Sequence, residues 1–425
     1  MKKRQAYFDN ASTTPLDKRV FKAMLPFFEG DYGNPSNLYE TGRCARIAIT
    51  QASNEIAAAL HCRPDEFVFT GSATEADNLA LAGAARAHKE VGNRIIVSAL
   101  EHKGILAVCS ALEKEGFEVI KLPVGKDGMV SVAEVKKHLN EKTVIVSITM
   151  ADSETGTLQP IQEIATLIKK FRGERSLPYF HTDASQAAAY ADINVEKMGV
   201  DLMTLSAHKL RGPKGIGGLY VKRGVRLNPI IYGGGQQGRL RSGTENVPAI
   251  VGFGLAVKLN ESYKKKGSAH VAKLRDALQK GIFGSITKVV LNGHPTKRLP
   301  NFLNISILDI EGESLLLELD EHGIMINTGS ACNSESLEPS YVLTALGNPY
   351  EFVHGSIRFT LGAETTMSDV KHVLKHLPKI VRRLRQISPL NLSPDERKVM
   401  SDPRAFIGGQ TPHFLRKKKS PVSKN

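Results

Sequence analysis

One short stretch of the chain, Ser206-Ala207-His208-Lys209, has the residue types and the setting to do chemistry. It follows an apolar run at residues 200–205, which we interpret as a buried strand, and it precedes a Gly/Pro turn at residues 212–215. A lysine in this setting can be kept away from bulk water, and burial lowers its pKa because desolvation disfavours the charged form. Such a lysine can form a Schiff base, although the same pattern is also typical of a surface lysine after a strand.

Two further stretches place polar residues at the ends of predicted strands, where open α/β sheets bind their ligands. Residues 69–75 have the pattern of a strand end, a turn of small residues and a helix start, whose free N–H groups and dipole suit a phosphate. Asp183 closes another strand, where its carboxylate could pair with a cation such as a protonated pyridine nitrogen. Taken singly, each stretch is also explained by helix capping through Ser72, Thr74 or Asp183.

The three features together are more specific than any one of them. Lys209 follows Asp183 by 26 residues, at the end of the next predicted strand, so both side chains would point into one crevice. With a phosphate site on the same edge, the sequence meets three needs of pyridoxal 5′-phosphate (PLP). These needs are a Schiff-base lysine, an anion for the ring nitrogen and a helix N-terminus for the phosphate.

The composition excludes several classes of protein. Hydrophobic residues make up 41% of the 425 and charged residues 24%, which is typical of a water-soluble globular protein. No apolar run approaches the roughly 20 residues of a membrane span, and no signal peptide is recognised, so we expect a cytoplasmic protein. The four cysteines form no CxxC pair, so we predict neither a metal site nor a disulfide framework. The net charge of +14 is concentrated near the C-terminus, which favours a solvated basic tail.

The elements that must position these residues alternate between strands and helices, which predicts a largely parallel sheet covered on both faces. We expect an α/β fold with a large domain of this kind and a smaller α+β domain. We predict separate helices at residues 247–263 and 267–281, with the change of domain between them. The expected divisions are residues 1–16 packing with the small domain, 17–262 as the PLP-binding domain, 263–388 as the small domain and 389–425 as a disordered tail.

The chain resembles the PLP-dependent cysteine desulfurases of the NifS/IscS type, which belong to the class-V aminotransferases and have the fold-type I architecture. Seven motifs in order carry the resemblance, at residues 9–15, 73–78, 101–103, 206–215, 241–246, 329–332 and 356–359. Their agreement in type and in order makes a chance match very improbable. The resemblance extends from about residue 7 to residue 390.

The resemblance implies a role for each matching residue. Lys209 would hold PLP as a Schiff base and move protons on the substrate, while Asp183 would keep the pyridine nitrogen protonated. His102 would stack on the ring and could act as an acid or base. The other implied contacts are Gln186 and Ser153 to the phenolic oxygen, Ala73, Thr74, Ser206 and His208 to the phosphate, Thr244 to the phosphate of the neighbouring subunit, and Arg358 and Asn34 to the substrate. Thr244 therefore implies a homodimer.

Cys332 lies in a stretch, residues 327–339, that is mostly Gly, Ser, Asn and Glu, and this composition predicts an exposed, mobile loop. An exposed thiol oxidises readily, so it is best explained if the thiolate must travel and carry sulfur. In the family this position bears the persulfide formed when L-cysteine becomes L-alanine. The long loop resembles the branch that passes sulfur to a partner protein, either an iron–sulfur scaffold or a tRNA-thiolation enzyme.

Ser153 departs from the family pattern, which usually has Asn at this position, and a hydroxyl offers fewer contacts than an amide. The departure motivates a second hypothesis, a related PLP lyase or aminotransferase that acts on another amino acid such as selenocysteine. A third hypothesis is a non-catalytic basic binding protein on the same fold. The basic tail also suggests a weak contact with tRNA, and the sequence identifies neither the sulfur acceptor nor its pathway.

Overall fold

The computed structural model describes residues 4–329 and 339–387. The strands within them are β1 Ala6–Tyr7, β2 Phe67–Thr70, β3 Arg94–Ser98, β4 Glu118–Leu122, β5 Thr143–Ser147, β6 Tyr179–Asp183, β7 Leu202–Ser206, β8 Gly217–Val221, β9 Val289–Leu291, β10 Phe302–Ile307, β11 Ile324–Met325 and β12 Ser356–Thr360. The helices are α1 Lys18–Met24, α2 Pro26–Glu29, α3 Glu40–Leu60, α4 Ala73–Ala87, α5 Lys103–Lys114, α6 Val132–His138, α7 Ile161–Arg172, α8 Val195–Met198, α9 Val247–Ser285, α10 Gly312–Glu321, α11 Tyr341–Ala345, α12 Tyr350–His354 and α13 Met367–Ile387.

A seven-stranded sheet forms the centre of the large lobe, in the order β2-β8-β7-β6-β5-β3-β4. Strands β7, β6, β5, β3 and β4 pair in parallel, and β8 runs antiparallel to both of its neighbours. Every residue of β5, β6 and β7 is buried, as expected for apolar strands covered by helices on both faces. This arrangement confirms the predicted α/β class with a mostly parallel sheet.

Strand β8 was not expected, because its first residues are two glycines and glycine usually marks a turn or a loop. The structure shows why both of these positions are occupied by glycine. A Cβ atom on Gly217 would lie 2.6 Å from the backbone nitrogen of Ala73, and one on Gly218 would overlap the ring of Phe67. The glycines therefore let β8 approach α4 and β2 more closely than any other residue type could.

The small lobe contains a three-stranded antiparallel sheet in the order β12-β10-β9 and a two-stranded parallel sheet of β1 and β11. Ala6 and Phe8 pack in the hydrophobic core of this lobe with residues from α9, β10, β12 and α13. The N-terminal segment thus adds a strand to the small lobe. The predicted domain boundaries stay predictions, and the one at residue 262 falls inside a helix.

The expectation of two helices between residues 247 and 281 was wrong, because α9 is continuous over 39 residues. Its first half packs in the core of the large lobe through Ile250, Phe253 and Val257, and its second half packs in the small lobe through Leu274 and Leu278. Packing at both ends keeps the helix continuous through its lysine-rich middle. Neither α9 nor any other helix in residues 4–329 and 339–387 is apolar enough to cross a membrane.

Candidate active site

A cavity of about 510 Å³ lies where β2, β6 and β7 end and α4 begins. Because these strands point the same way, their carboxyl ends meet at one edge of the sheet, which is the usual position for a ligand. Most of the predicted site residues line this cavity: Ala73, Thr74, His102, Ser153, Asp183, Gln186, Ser206, His208 and Lys209. The structure thus brings together residues that lie up to 136 positions apart in the sequence.

Lys209 ends the short 3-10 turn Ala207–Lys209 that follows β7. Its Nζ atom donates hydrogen bonds to the carbonyl oxygens of Ala11 and, at 2.9 Å, of Ser12. Burial, with a further contribution from the nearby Arg358 cation, lowers the pKa of Lys209 to about 8. About one-tenth of this amine is therefore uncharged, and able to act as a nucleophile, at pH 7.

Asp183 is the last residue of β6 and is almost fully buried. Its Oδ1 atom accepts a hydrogen bond of 2.8 Å from the backbone nitrogen of Ser185, so it also caps the turn that follows. Gln186, in the same turn, donates from Nε2 to the carbonyl oxygen of Ala11 at 3.0 Å. The turn therefore holds a carboxylate and an amide at the edge of the cavity, next to the segment that contacts Lys209.

The N-terminus of α4 forms another wall of the cavity. Ser72 caps this helix, because its Oγ atom accepts a hydrogen bond of 3.1 Å from the backbone nitrogen of Glu75. Ala73 and Thr74 begin the helix, and Gly217 leaves room for the backbone there. A helix N-terminus of this kind suits a phosphate, because its N–H groups and its dipole both attract negative charge.

Two histidines at the cavity differ in their surroundings. Burial, together with the positive charges of Lys209 and Lys214, lowers the pKa of His208 to about 4, so the ring is neutral. The Nδ1 atom of His208 lies 3.1 Å from Oγ1 of Thr13. His102 is exposed and caps α5, where its Nδ1 atom accepts a hydrogen bond of 3.1 Å from Gly104. In its neutral form the ring of His102 therefore carries its proton on Nε2.

Arg358, on β12 of the small lobe, lies behind the cavity wall and does not line the cavity. Its Nη1 atom donates to the carbonyl oxygen of Ser153 at 2.6 Å, and its Nη2 atom donates to Asp9 at 2.7 Å and to Ser12 at 3.0 Å. Its Nε atom has no hydrogen-bond partner within the described part of the chain. Arg358 thus already holds one carboxylate, that of Asp9, in a nearly buried position beside Ser153.

Two predicted residues lie elsewhere. Thr244 and Asn34 are exposed and line a separate surface pocket of about 170 Å³ together with Tyr32. Neither residue lines the cavity around Lys209 in its own chain. Cys332 lies outside the described residues.

The sequence analysis missed a buried group of polar side chains at the cavity, in which Asp77 lines the cavity wall. Asp77 is 1% exposed, and burial together with the charge of Asp183 raises its pKa well above the ordinary value. His181 lies 3.7 Å from Asp77, 2.8 Å from the hydroxyl of Ser147 and 3.0 Å from that of Thr204, and burial lowers its pKa to about 3. His181 is therefore neutral at pH 7, and the raised pKa of Asp77 favours its protonated form. The signal for this group in the sequence was Asp77 itself, an acidic residue in the otherwise mostly apolar helical stretch at residues 76–85.

None of the described cysteines lines the cavity. Cys109 is buried, and Cys44 and Cys62 are half-buried. Burial raises the pKa of Cys62 and of Cys109 to about 12, so these thiols are poor nucleophiles. In residues 4–329 and 339–387, His, Cys, Asp and Glu side chains form no group that could hold a metal ion.

The cavity fits PLP in each of the three respects that the cofactor requires. Lys209 offers an amine with a lowered pKa, and Asp183 offers a carboxylate for the ring nitrogen. The start of α4 offers backbone N–H groups, with Gly217 providing the close approach that shapes this end of the cavity. PLP would supply an electrophilic carbon and a ring that accepts electrons.

Comparison with known proteins supports the same interpretation. The family model for class-V aminotransferases matches residues 6–373. A protein named "Cysteine desulfurase IscS" from Methanosarcina thermophila is 47% identical over 90% of this chain and 94% of its own length. One of the same name from Dictyoglomus turgidum is 45% identical over 91% of this chain and 97% of its own. A solved structure named "NIFS-LIKE PROTEIN" is 34% identical, with a TM-score of 0.84, and covers 90% of this chain and 100% of its own. The chain belongs to the class-V aminotransferase family, within the group of the PLP-dependent cysteine desulfurases.

Proposed function

We propose that this protein is a cysteine desulfurase, which converts L-cysteine to L-alanine and leaves the sulfur as a persulfide on Cys332. The observation that carries the proposal is the position of Lys209, Asp183 and the start of α4 around one cavity. The identity of 45–47% to proteins named cysteine desulfurase, over nine-tenths of the chain, supports the choice of substrate.

Lys209 would both hold the cofactor and handle the substrate's protons. Its pKa of about 8 means that the amine can take up a proton from the substrate Cα and release it again near neutral pH. Asp183 would pair with the ring nitrogen, while the start of α4, Ser206 and neutral His208 would hold the phosphate. His102, on the exposed side of the cavity, would stack on the ring.

Cys332 would take the sulfur atom. Its thiolate attacks the sulfur of the substrate, the bond between that sulfur and the substrate Cβ breaks, and a new S–S bond forms. The electron pair left on the substrate is protonated to give the methyl group of alanine. Cysteine and one enzyme thiol thus give alanine and one enzyme persulfide, with no other oxidant or reductant.

Arg358 would bind the substrate carboxylate through its planar guanidinium group. It already binds the Asp9 carboxylate and the carbonyl oxygen of Ser153, so its donors would be shared or exchanged when the substrate enters. Ser153 lines the cavity next to these donors and would make a contact with the cofactor or substrate. Asn34 would contribute to substrate binding from the second subunit.

The active unit would be a homodimer, in which Thr244 reaches the phosphate in the partner's cavity. Large apolar side chains that are exposed on either side of Asn34 support an interface there. Between residues 21 and 47 these exposed side chains are Phe21, Leu25, Phe28, Tyr32, Leu38, Tyr39 and Ile47. Light scattering should give twice the mass of the chain, and Tyr32→Glu should shift the protein to monomer with loss of activity. A fully active monomer would contradict this proposal.

The sulfur would pass to an acceptor protein, either an iron–sulfur scaffold or a tRNA-thiolation enzyme. The exposed face of α13 supports an acidic partner, because Lys371, Lys375, Lys379 and Arg382 form no ion pair with another described residue. Weak contact of the tail with tRNA and a cytoplasmic location stay predictions from the sequence.

The purified protein should be yellow with PLP, and its visible band should shift when L-cysteine is added. Alanine formation should favour cysteine in a panel of amino acids that includes selenocysteine. Cys332→Ala should abolish the persulfide and sulfur transfer but keep the band shift, and Cys44→Ala serves as the matched control. Unchanged sulfur transfer by Cys332→Ala, or preference for a substrate without sulfur, would refute the proposal.

A further inference from the structure

Glu154 is a buried carboxyl group that adjoins the cavity and to which the mechanism assigns no role. It directly follows Ser153, which lines the cavity, and it is only 5% exposed. Its backbone is fixed on both sides: its nitrogen donates to Asp152 at 3.0 Å, and its carbonyl oxygen accepts from Nδ2 of Asn304 at 3.1 Å. The side chain of Glu154 is therefore held at a defined place next to the catalytic cavity.

The carboxyl group of Glu154 contacts the chain on both sides of the segment that contains Cys332. The hydroxyl of Ser340, which is 2% exposed, donates a hydrogen bond to Oε2 of Glu154. The same hydroxyl caps α11 by accepting a hydrogen bond of 3.1 Å from Leu343. Ser340 thus connects Glu154 to the helix that follows the cysteine segment.

Gly329 precedes the cysteine segment and packs against the same oxygen. A Cβ atom at Gly329 would overlap Oε2 of Glu154 and would lie 3.1 Å from Cβ of Ser340. Only glycine therefore fits between these two side chains. Gly329 is the last described residue before the cysteine segment, and Ser340 is the second one after it. Both lie next to the same atom, Oε2 of Glu154.

The charges around Glu154 come from different elements. Burial, with a smaller contribution from Asp152, disfavours its ionised form, while the hydrogen bond from Ser340, Arg358 on β12 and Lys103 on α5 favour it, and the balance raises its pKa to about 7. Either form of the carboxyl group can accept the hydrogen bond from Ser340. The contact with Ser340 is therefore available on both sides of neutral pH.

We propose that Glu154 is a positioning residue for persulfide formation, because it fixes both ends of the Cys332 segment relative to the cavity. Cys332 follows Gly329 by only three residues in the sequence. The position of Gly329 thus limits where the thiol can react. This inference rests on the proposed role of Cys332.

The test compares Glu154→Ala, Glu154→Gln and Ser340→Ala in the PLP-loaded, full-length protein. Glu154→Ala and Ser340→Ala should slow single-turnover persulfide formation by about tenfold to a hundredfold, since misplacement by about 1 Å costs this much. The affinities for PLP and for cysteine, followed by the visible band, should stay within about twofold of those of the parent. Glu154→Gln should restore most of the rate, because its amide oxygen can still accept from Ser340.

Ser131→Ala is the matched control, because Ser131 also caps a helix with its hydroxyl but lies away from the cavity. It should leave the persulfide rate unchanged. Unchanged rates in both Glu154→Ala and Ser340→Ala would overturn the inference. A parallel loss of PLP affinity would also overturn it, since that would indicate a general structural role.

Amide hydrogen exchange gives a readout that does not depend on activity. In Glu154→Ala, peptides that contain Gly329 and Ser340 should exchange faster than in the parent, whereas Glu154→Gln should match the parent. Unchanged exchange would overturn the inference. If Cys332→Ala keeps full sulfur transfer while exchange responds as expected, the proposed function fails but the contact of Glu154 with the segment ends stands.

Discussion

Replacement of Gly217 by alanine should weaken cofactor binding through a change outside the cavity lining. The new Cβ would lie 2.6 Å from the backbone nitrogen of Ala73, 2.6 Å from the carbonyl carbon of Ser72 and 2.9 Å from the carbonyl oxygen of Leu205. Because all three are backbone atoms, no side-chain rotation relieves the overlap. To reach an ordinary contact of 3.4 Å, β8 and the start of α4 would have to separate by about 0.8 Å.

Such overpacking typically costs about 1–3 kcal/mol. If this strain falls on the start of α4, the N–H groups that would hold the phosphate are displaced. A loss of about 1–3 kcal/mol in the free energy of PLP binding corresponds to about 5- to 150-fold weaker affinity. The assay is a titration of the cofactor-free protein with PLP, followed by absorbance, with thermal unfolding measured in parallel.

Gly284→Ala is the matched control, because a Cβ at Gly284 meets nothing within 4 Å and the residue lies in α9. It should leave the PLP affinity unchanged and stabilise the helix by about 0.5–1 kcal/mol. PLP affinity within twofold of the parent for Gly217→Ala would refute the idea that this glycine sets the geometry of the phosphate site. A loss of affinity equal in both variants would refute it as well.

Three further predictions concern buried charges and are checked by denaturant unfolding. Lys209 has a folded-state pKa of about 8, below its ordinary 10.5, so burying its charge destabilises the fold fully below pH 8 and no longer does so above about pH 10.5. Lys209→Met should therefore stabilise the cofactor-free protein by up to about 3 kcal/mol at pH 7. An equal gain in stability at pH 11 would contradict this prediction. Arg172→Ala should cost about 2 kcal/mol, because the 3%-exposed Asp201 carboxylate loses its 2.5 Å partner and keeps Lys222, at 3.4 Å, as its cationic partner, whereas Arg63→Ala on the surface should change stability little. Asp77→Asn should change stability by less than about 1 kcal/mol at neutral pH, since burial raises the pKa of this acid and favours its uncharged form, and a larger loss would indicate that it is ionised.

The sequence predicted the parts of the fold that depend on local pattern. Apolar runs followed by small residues located β6 and β7, and the rule that parallel strands end at one edge placed Asp183 and Lys209 together. Both residues line the same cavity, as that rule requires. Their chemical roles stay predictions until the cofactor titrations are made.

What the sequence did not reveal depends on contacts between distant residues. Gly217 resembles a loop residue until β8 is seen to press against α4, and the lysine-rich centre of α9 resembles a break until both of its ends are seen to be packed. Glu154 gives no sequence signal at all, because its partner Ser340 lies 186 residues further along the chain. Tertiary packing thus overrides local preference in each case.

The long helix α9 has a consequence for how the protein folds. With a rise of about 1.5 Å per residue, its 39 residues span about 58 Å and enter the hydrophobic cores of both lobes. Neither core can be complete until the helix has formed along its whole length. The two lobes should therefore unfold together in one cooperative transition, and a fragment cut within α9 would leave each half with an unfinished core.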